Sequence, residues 1–201
     1  VTEEVLIPDL LFGGCANVSG SARIGAKYWA FPLYIPAGTR IAARSAGARV
    51  STAVTVAIWL YGGDAIPPFR VGRKVTTYGI TTVPSGTSIT PGASGAEQAT
   101  PTEITASTSE DHFAFLPSFQ LGTDTTATNN RIAVDVMAGA ATEEEILQSA
   151  WFLTSGDETC ANFGPNMPAF HDVPSGTRLA LRASNSGVND AAYDAVIHAV
   201  S

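Results

Sequence analysis

Charge is scarce in this chain of 201 residues, of which Asp, Glu, Lys and Arg make up only 14%, with a formal net charge of −7 at pH 7. Binding to a nucleic-acid backbone requires clustered Lys and Arg that release counterions, so the composition argues against direct contact with nucleic acid. No apolar run approaches the roughly 20 residues that a membrane-spanning helix requires. We therefore expect a soluble protein without a membrane partner.

Cysteine is almost absent, with Cys15 and Cys160 as the two examples, and no Cys/His spacing typical of a metal site occurs. We expect these residues to be buried free thiols. The chain also lacks a phosphate-binding loop, a dinucleotide fingerprint and the Gly-x-Ser-x-Gly pattern of a serine hydrolase. We predict a protein that is not an enzyme and holds no cofactor. The alternative of a hydrolase stays open, because the separation of a carboxylate pair that cleaves glycosides is set by the fold rather than by spacing in the sequence.

Few residues remain that could carry chemistry. Each of the three histidines has an acidic residue nearby, and we interpret His112, His171 and His198 as polar residues near strand edges and turns. Acidic runs at Glu143–Glu145 and Asp157–Glu158 offer oxygen ligands for a hard cation, but no 12-residue calcium loop is present. We therefore predict no metal site and no catalytic residue.

What the chain has in abundance favours β-structure. Hydrophobic residues make up 45% of the chain, which is ample for a core. The many Thr, Ser, Gly, Ala and Val residues are typical of strands connected by turns. No hydrophobic pattern with a period of 3.6 is sustained, so a helical bundle is excluded.

An internal repeat is the most informative pattern. Ile35–Arg44 and Val173–Arg182 share six of ten residues at a separation of 138 positions. A Pro-x-Gly-Thr turn sequence opens the shared part of both stretches. Weaker similarities continue outward from this match: Glu3–Leu6 with Glu144–Leu147, Cys15–Asn17 with Cys160–Asn162, and Ala57–Ile58 with Ala195–Val196.

A unit of this length fits only once and a half into the chain. We predict a partial module over residues 1–66, corresponding to the second half of the repeat, and a complete module over residues 67–201. The consecutive prolines within Asp64–Phe69 mark the boundary, because they cannot lie inside a sheet ladder. Seven or eight strands in the complete module predict an antiparallel β-sandwich resembling a jelly roll.

The complete module shows period-two patterns separated by turns, although Glu144–Ala150 could instead form one helical turn. Its predicted strands are Lys74–Val83, Thr102–Thr108, His112–Leu121, Arg131–Ala138, Glu143–Leu153, Met167–Val173, Thr177–Arg182 and Ala191–Val200.

The partial module is predicted to hold four strands, and alone these would leave one apolar face bare. Three covers are possible: residues preceding Val1, the complete module of the same chain, or strands from a neighbouring chain in an assembly. The predicted strands are Val5–Phe12, Tyr28–Ile35, Thr39–Arg44 and Val54–Tyr61.

Candidate binding residues lie mainly in the partial module. Trp29, Trp59 and Tyr61 are aromatic residues that could stack on sugar rings or anchor a protein interface. Arg40 and Arg178 each have a second arginine four residues later, so in a strand each pair shares a face and can reach carboxylates of a neighbouring strand or subunit.

Several of these stretches together resemble virion proteins of tailed bacteriophages, of the tail or capsid-associated type. The stretches are Ile7–Phe12, Ile35–Arg40, Thr76–Ile80, Glu103–Thr108 and Asn130–Val136. The resemblance implies a repeated β-sandwich that acts in assembly, located in the virion and bound to copies of itself or to other virion proteins. The alternative is a carbohydrate- or receptor-binding module whose partner is a surface glycan.

Overall fold

The computed structural model describes residues 4–12, 28–46, 55–62, 70–82, 85–92, 95–121, 130–141, 145–155, 159–162, 166–186 and 192–201. This part of the chain contains ten β-strands and no helix. The strands are β1 (Val75–Tyr78), β2 (Thr87–Ile89), β3 (Thr102–Thr105), β4 (His112–Leu121), β5 (Asn130–Ala138), β6 (Glu145–Ser155), β7 (Thr159–Asn162), β8 (Ala169–Val173), β9 (Leu179–Asn185) and β10 (Tyr193–Val200).

The strands form two antiparallel sheets that pack into a β-sandwich, which confirms the predicted fold class. The front sheet has the order β1-β10-β4-β8, with β2 also paired to β10. The back sheet has the order β3-β9-β5-β6-β7. Each of the eight strands predicted for residues 67–201 overlaps an observed strand, and β4 has the predicted bounds. The sequence analysis missed the short strands β2 and β7.

The main core lies between the sheets. Leu181 and Ala183 of β9 are buried and alternate with the partly exposed Arg182 and Ser184. Leu179 and Leu181 belong to the same core cluster as Ile197 of the front sheet. Burying an aliphatic side chain of this size stabilises the fold by about 1.5–3 kcal/mol. In contrast to β9, β10 is buried on both faces from Ala195 to Val200. A strand buried on both faces reads as a continuous apolar run, as this one does.

The N-terminal part of the chain does not form the four predicted strands within the described residues. It contributes only isolated bridges to the sandwich, including the parallel pairs Phe12 with Phe119, Trp29 with Asn166 and Leu33 with Gly72. Residues 8–12 and 28–34, which we call the N-terminal strap, lie against the outer face of the front sheet. The prediction of regular strands was wrong here, because no neighbouring strand is available for a ladder.

The duplicated turn keeps its local conformation in both copies. The hydroxyls of Thr39 and Thr177 each donate a 2.7 Å hydrogen bond to the carbonyl of the proline three residues earlier. Gly38 and Gly176 have φ angles of 80° and 83°, in the left-handed region that glycine tolerates best. After the second turn the chain enters β9, whereas residues 40–46 remain outside any strand. The repeated sequence therefore fixes the turn but not the strand that follows.

Candidate interaction surface

A buried histidine at the centre of β10 holds the N-terminal strap to the front sheet. His198 has no exposed surface; its Nδ1 lies 2.8 Å from Thr77 Oγ1 and its Nε2 lies 2.9 Å from Ser118 Oγ. The Thr77 hydroxyl donates to the carbonyl oxygen of Pro8 at 2.7 Å. Ser118 Oγ accepts the backbone N–H of Leu11 at 3.1 Å. One imidazole therefore connects two hydroxyls that both reach the strap.

The direction of each hydrogen bond follows from counting protons. Thr77 has a single hydroxyl proton, which it donates to the strap, so its oxygen accepts from Nδ1–H of His198. Ser118 then donates its own proton to Nε2. This arrangement requires a neutral imidazole, and burial away from water lowers the pKa of His198 from 6.5 to about 3. The expectation that His198 lies at a strand edge was wrong.

Backbone hydrogen bonds to Gly72 and Asn166 and apolar packing add to the strap's attachment. Trp29, Phe31 and Leu33 are partly buried against a second apolar cluster on the outer face of the front sheet. Phe31 also meets the His198 ring edge-on, with the two centroids 5.8 Å apart. Trp29 therefore takes part in packing. The residues of this second cluster are Val75, Phe113, Ala114, Leu116 and Val200.

Residues 55–62, which we call the apolar segment, are exposed, whereas the strap packs against the front sheet. Every residue of the segment is exposed, and no hydrogen bond joins its backbone to another described residue. Ile58, Trp59 and Tyr61 are 52%, 62% and 87% exposed. Among the described residues, the ring of Trp59 pairs with the ring of Tyr28, at a centroid distance of 5.6 Å. The segment contains no charged residue.

The repeat shows how unusual this exposure is. At the separation of 138 positions, residues 55–62 correspond to residues 193–200, which form β10. That strand pairs with β1, β2 and β4. The two corresponding stretches therefore differ in strand pairing: residues 193–200 have neighbouring strands, and residues 55–62 have none among the described residues. The apolar segment is a strand sequence without a sheet.

The arginines of the second copy reach carboxylates on neighbouring strands. Arg178 Nε lies 2.8 Å from Glu103 on β3, and Arg182 Nη2 lies 2.9 Å from Asp135 on β5. The Arg178 side chain is only 15% exposed, so it acts mainly within the sandwich. Arg40, its counterpart in the first copy, lies on the exposed stretch after the first turn.

A polar cluster beside β1 was not foreseen from the sequence. Tyr78 Oη lies 2.8 Å from Nε2 of His112 and accepts the backbone N–H of Ser109 at 2.9 Å. Lys74 Nζ lies 2.5 Å from Glu110, and this hydrogen bond lowers the pKa of Glu110 and raises that of Lys74. Burial lowers the pKa of His112. The contacts join two separate stretches of chain, residues 74–78 and 109–112, and give the cluster a structural role.

The remaining sequence predictions concern metal ligands, the two cysteines and a membrane-spanning helix. Within the described ranges, no group of three or more His, Cys, Asp or Glu residues is placed to hold a metal ion. Cys15 lies outside those ranges, and Cys160 lies in β7. No helix in the described part of the chain is long and apolar enough to cross a membrane. No family model, curated protein or solved structure matches this chain.

Proposed function

We propose that this protein is a non-enzymatic assembly component that binds neighbouring subunits through its apolar segment. The observation that carries the proposal is the eight-residue run of uncharged and exposed chain at residues 55–62. A monomeric protein rarely exposes a contiguous apolar patch unless the patch binds something. Aromatic residues at such a site are the usual anchors of a protein interface, and Trp59 and Tyr61 fill that role.

The unpaired backbone of the segment favours a protein partner over a small molecule. An extended strand gains affinity by hydrogen-bonding to the edge of another sheet, while alternating side chains supply specificity. Val56, Ile58 and Leu60 share one face of such a strand, and Trp59 and Tyr61 share the other. Both faces therefore offer apolar area to a partner.

The proposal places the protein in a virion, in the tail or associated with the capsid. It is supported by the resemblance of the strand and turn stretches to virion proteins of tailed bacteriophages. A particle covers the exposed apolar surface of each subunit with its neighbours, which removes the cost of leaving that surface in water. Copies of this chain or other virion proteins are the partners in this proposal.

Sedimentation equilibrium over a wide concentration range tests the proposal. We expect the wild-type protein to associate as its concentration rises. The double variant Trp59→Ser, Tyr61→Ser should remain monomeric, because both aromatic anchors are lost. Tyr34→Ser is the matched control, since Tyr34 is an exposed aromatic residue outside the segment. A wild-type protein that stays monomeric and binds no virion protein would contradict the proposal.

One observation favours the alternative of a glycan-binding module. Tyr28 and Trp59 form an exposed, tilted ring pair beside the even more exposed Tyr61. Sugar rings stack on aromatic faces of this kind. A glycan array with the wild-type protein and Trp59→Ala tests this function. Binding that disappears in the variant supports it, and an array without a specific signal rejects it.

A further inference from the structure

Charge is distributed very unevenly along this chain. Residues 10–63 contain five Lys and Arg residues and no Asp or Glu, a formal charge of +5. Residues 64–201 contain six basic and fifteen acidic residues, a formal charge of −9. The first stretch includes the apolar segment, and the second includes the whole sandwich. Two copies therefore attract each other when the basic stretch of one approaches the sandwich of the other.

The sandwich has an open strand edge at β6 to which the basic stretch of a second copy can bind. On one side, β6 pairs with β5 along almost its whole length, from Glu145 to Thr154. On its other side, β7 pairs only with Phe152–Ser155. Among the described residues, the first seven residues of β6 have no partner on that side. An edge of this kind presents backbone N–H and C=O groups that can pair with an added strand.

Acidic residues adjoin this edge in the sequence. Glu143 and Glu144 precede β6, Glu145 begins it, and Asp157 and Glu158 follow it. Only the first of these acidic groups adjoins the open half, because Phe152–Ser155, which pair with β7, separate that half from Asp157. Basic residues that precede an added strand in its own chain therefore approach the acidic end of β6 when the strand runs parallel to β6.

We propose that the apolar segment of one copy adds as a strand to the open half of β6 in a second copy. The lengths agree, with eight residues in the segment and seven on the open edge. The segment itself brings no charge to the interface. Arg44 and Arg49 precede the segment and provide the attraction to the acidic N-terminal end of β6. The alternation of Val56, Ile58 and Leu60 with Trp59 and Tyr61 suits a strand conformation.

The contact is head-to-tail, because the two copies contribute different surfaces. Each copy then keeps one unused segment or one unused edge, so the same contact repeats to give a ring or a filament. This inference rests on the proposed assembly function and names its partner surface. The second copy, and not a different protein, is the partner to which the charge pattern points.

Charge-reversal rescue tests the pairing in the full chain at low salt. Variant one reverses the acidic side, Glu143→Lys with Glu144→Lys and Glu145→Lys, and variant two reverses the basic side, Arg44→Glu with Arg49→Glu. We expect each variant alone to weaken self-association about tenfold, and an equimolar mixture of the two variants to recover part of that loss. A chain carrying both reversals should associate within about threefold of wild type, because every contact is restored with opposite sign.

Backbone hydrogen exchange locates the interface directly. Amides of residues 55–62 and of the open half of β6 should become protected together as the protein concentration rises. The variant Trp59→Ser, Tyr61→Ser should show neither gain, and urea unfolding of each variant verifies that the sandwich remains folded. Self-association that depends on Trp59 and Tyr61 without protection of β6 or charge rescue would overturn this inference and leave the proposed function intact. A wild-type chain that never associates and binds no other protein would overturn both.

Discussion

Ser118 and His198 are joined across the front sheet by a 2.9 Å hydrogen bond from the Ser118 hydroxyl to Nε2 of the imidazole. The same serine oxygen accepts the N–H of Leu11, so this one contact connects the sandwich to the strap. A buried polar network stabilises a fold only when all its members have partners. Here the hydroxyls of Thr77 and Ser118 and both ring nitrogens of His198 have hydrogen-bond partners.

Ser118→Ala should remove the link between the strap and the sandwich. Both the Leu11 N–H and His198 Nε2 lose a partner while buried, which costs about 1–3 kcal/mol. Urea unfolding gives the global loss, and hydrogen exchange at the Leu11 amide shows whether the strap opens first. Ser88→Ala is the control, because Ser88 lies on β2 with an exposed side chain. Equal stability of the two variants would contradict the role assigned to the network.

The protein should become less stable as the pH falls, because the buried His198 resists protonation. Burial lowers the pKa of this imidazole from 6.5 to about 3, so between these values the unfolded chain binds a proton that the folded protein does not. The contribution is complete above pH 6.5 and is lost as the pH falls, by about tenfold in the unfolding equilibrium constant per pH unit. His112, whose pKa burial also lowers, acts in the same direction.

The variant His198→Gln isolates this effect, since glutamine offers a donor and an acceptor without titrating. Urea unfolding at several pH values from 5 to 7.5 should give a shallower pH dependence for the variant than for wild type. The variant should also be less stable than wild type at neutral pH, because its amide cannot reproduce both ring contacts. Parallel pH profiles for the two proteins would refute the assignment.

Two carboxylates that each bind an arginine should differ sharply in importance. Asp135 is buried, binds Arg182 and accepts the hydroxyl of Ser149 at 2.5 Å. Asp135→Asn should cost about 2 kcal/mol, because a buried charge pair loses one partner. Glu103→Gln is the matched variant, and its carboxylate is half exposed beside Arg178. It should cost less than about 1 kcal/mol. Urea midpoints in the reverse order would show that the burial of Asp135 is not what matters.

The two copies of the repeated turn provide a matched pair of glycines. Gly38 and Gly176 both have positive φ angles and open space around the missing side chain. Substitution by alanine strains the backbone by about 1 kcal/mol in either place. Gly176→Ala should lower global stability because its turn leads into β9, whereas Gly38→Ala should leave the urea midpoint of the sandwich nearly unchanged. An equal loss in both variants would show that the first turn unfolds together with the sandwich.

Local patterns predicted much of the fold. The bounds of β4 followed from the polar turns on either side, and each arginine of the second copy binds a carboxylate of a neighbouring strand. The Pro-x-Gly-Thr pattern predicted a turn whose conformation recurs in both copies. The bounds of β4 and the turn each depend on residues close together in sequence, so a short stretch contains the information.

The site was harder to predict from the sequence. His198 was interpreted as lying near a strand edge, although the continuous apolar run of β10 was a signal for burial on both faces. Trp29, a candidate binding residue, is partly buried against the front sheet. The error at His198 concerns what covers a face of β10, and that depends on residues more than 100 positions away, Thr77 and Phe31.

The sequence by itself determined the β-structure, the duplicated turn and the strand-forming character of residues 55–62, because hydrophobic alternation and turn chemistry act over a few residues. Only the tertiary structure decided that one copy of the turn leads into β9 and β10 while the other leads into residues 40–46, which form no strand, and the exposed apolar segment. A strand persists only where neighbours accept its hydrogen bonds and cover its faces. Within the described chain those neighbours exist for one copy of the repeat and not for the other.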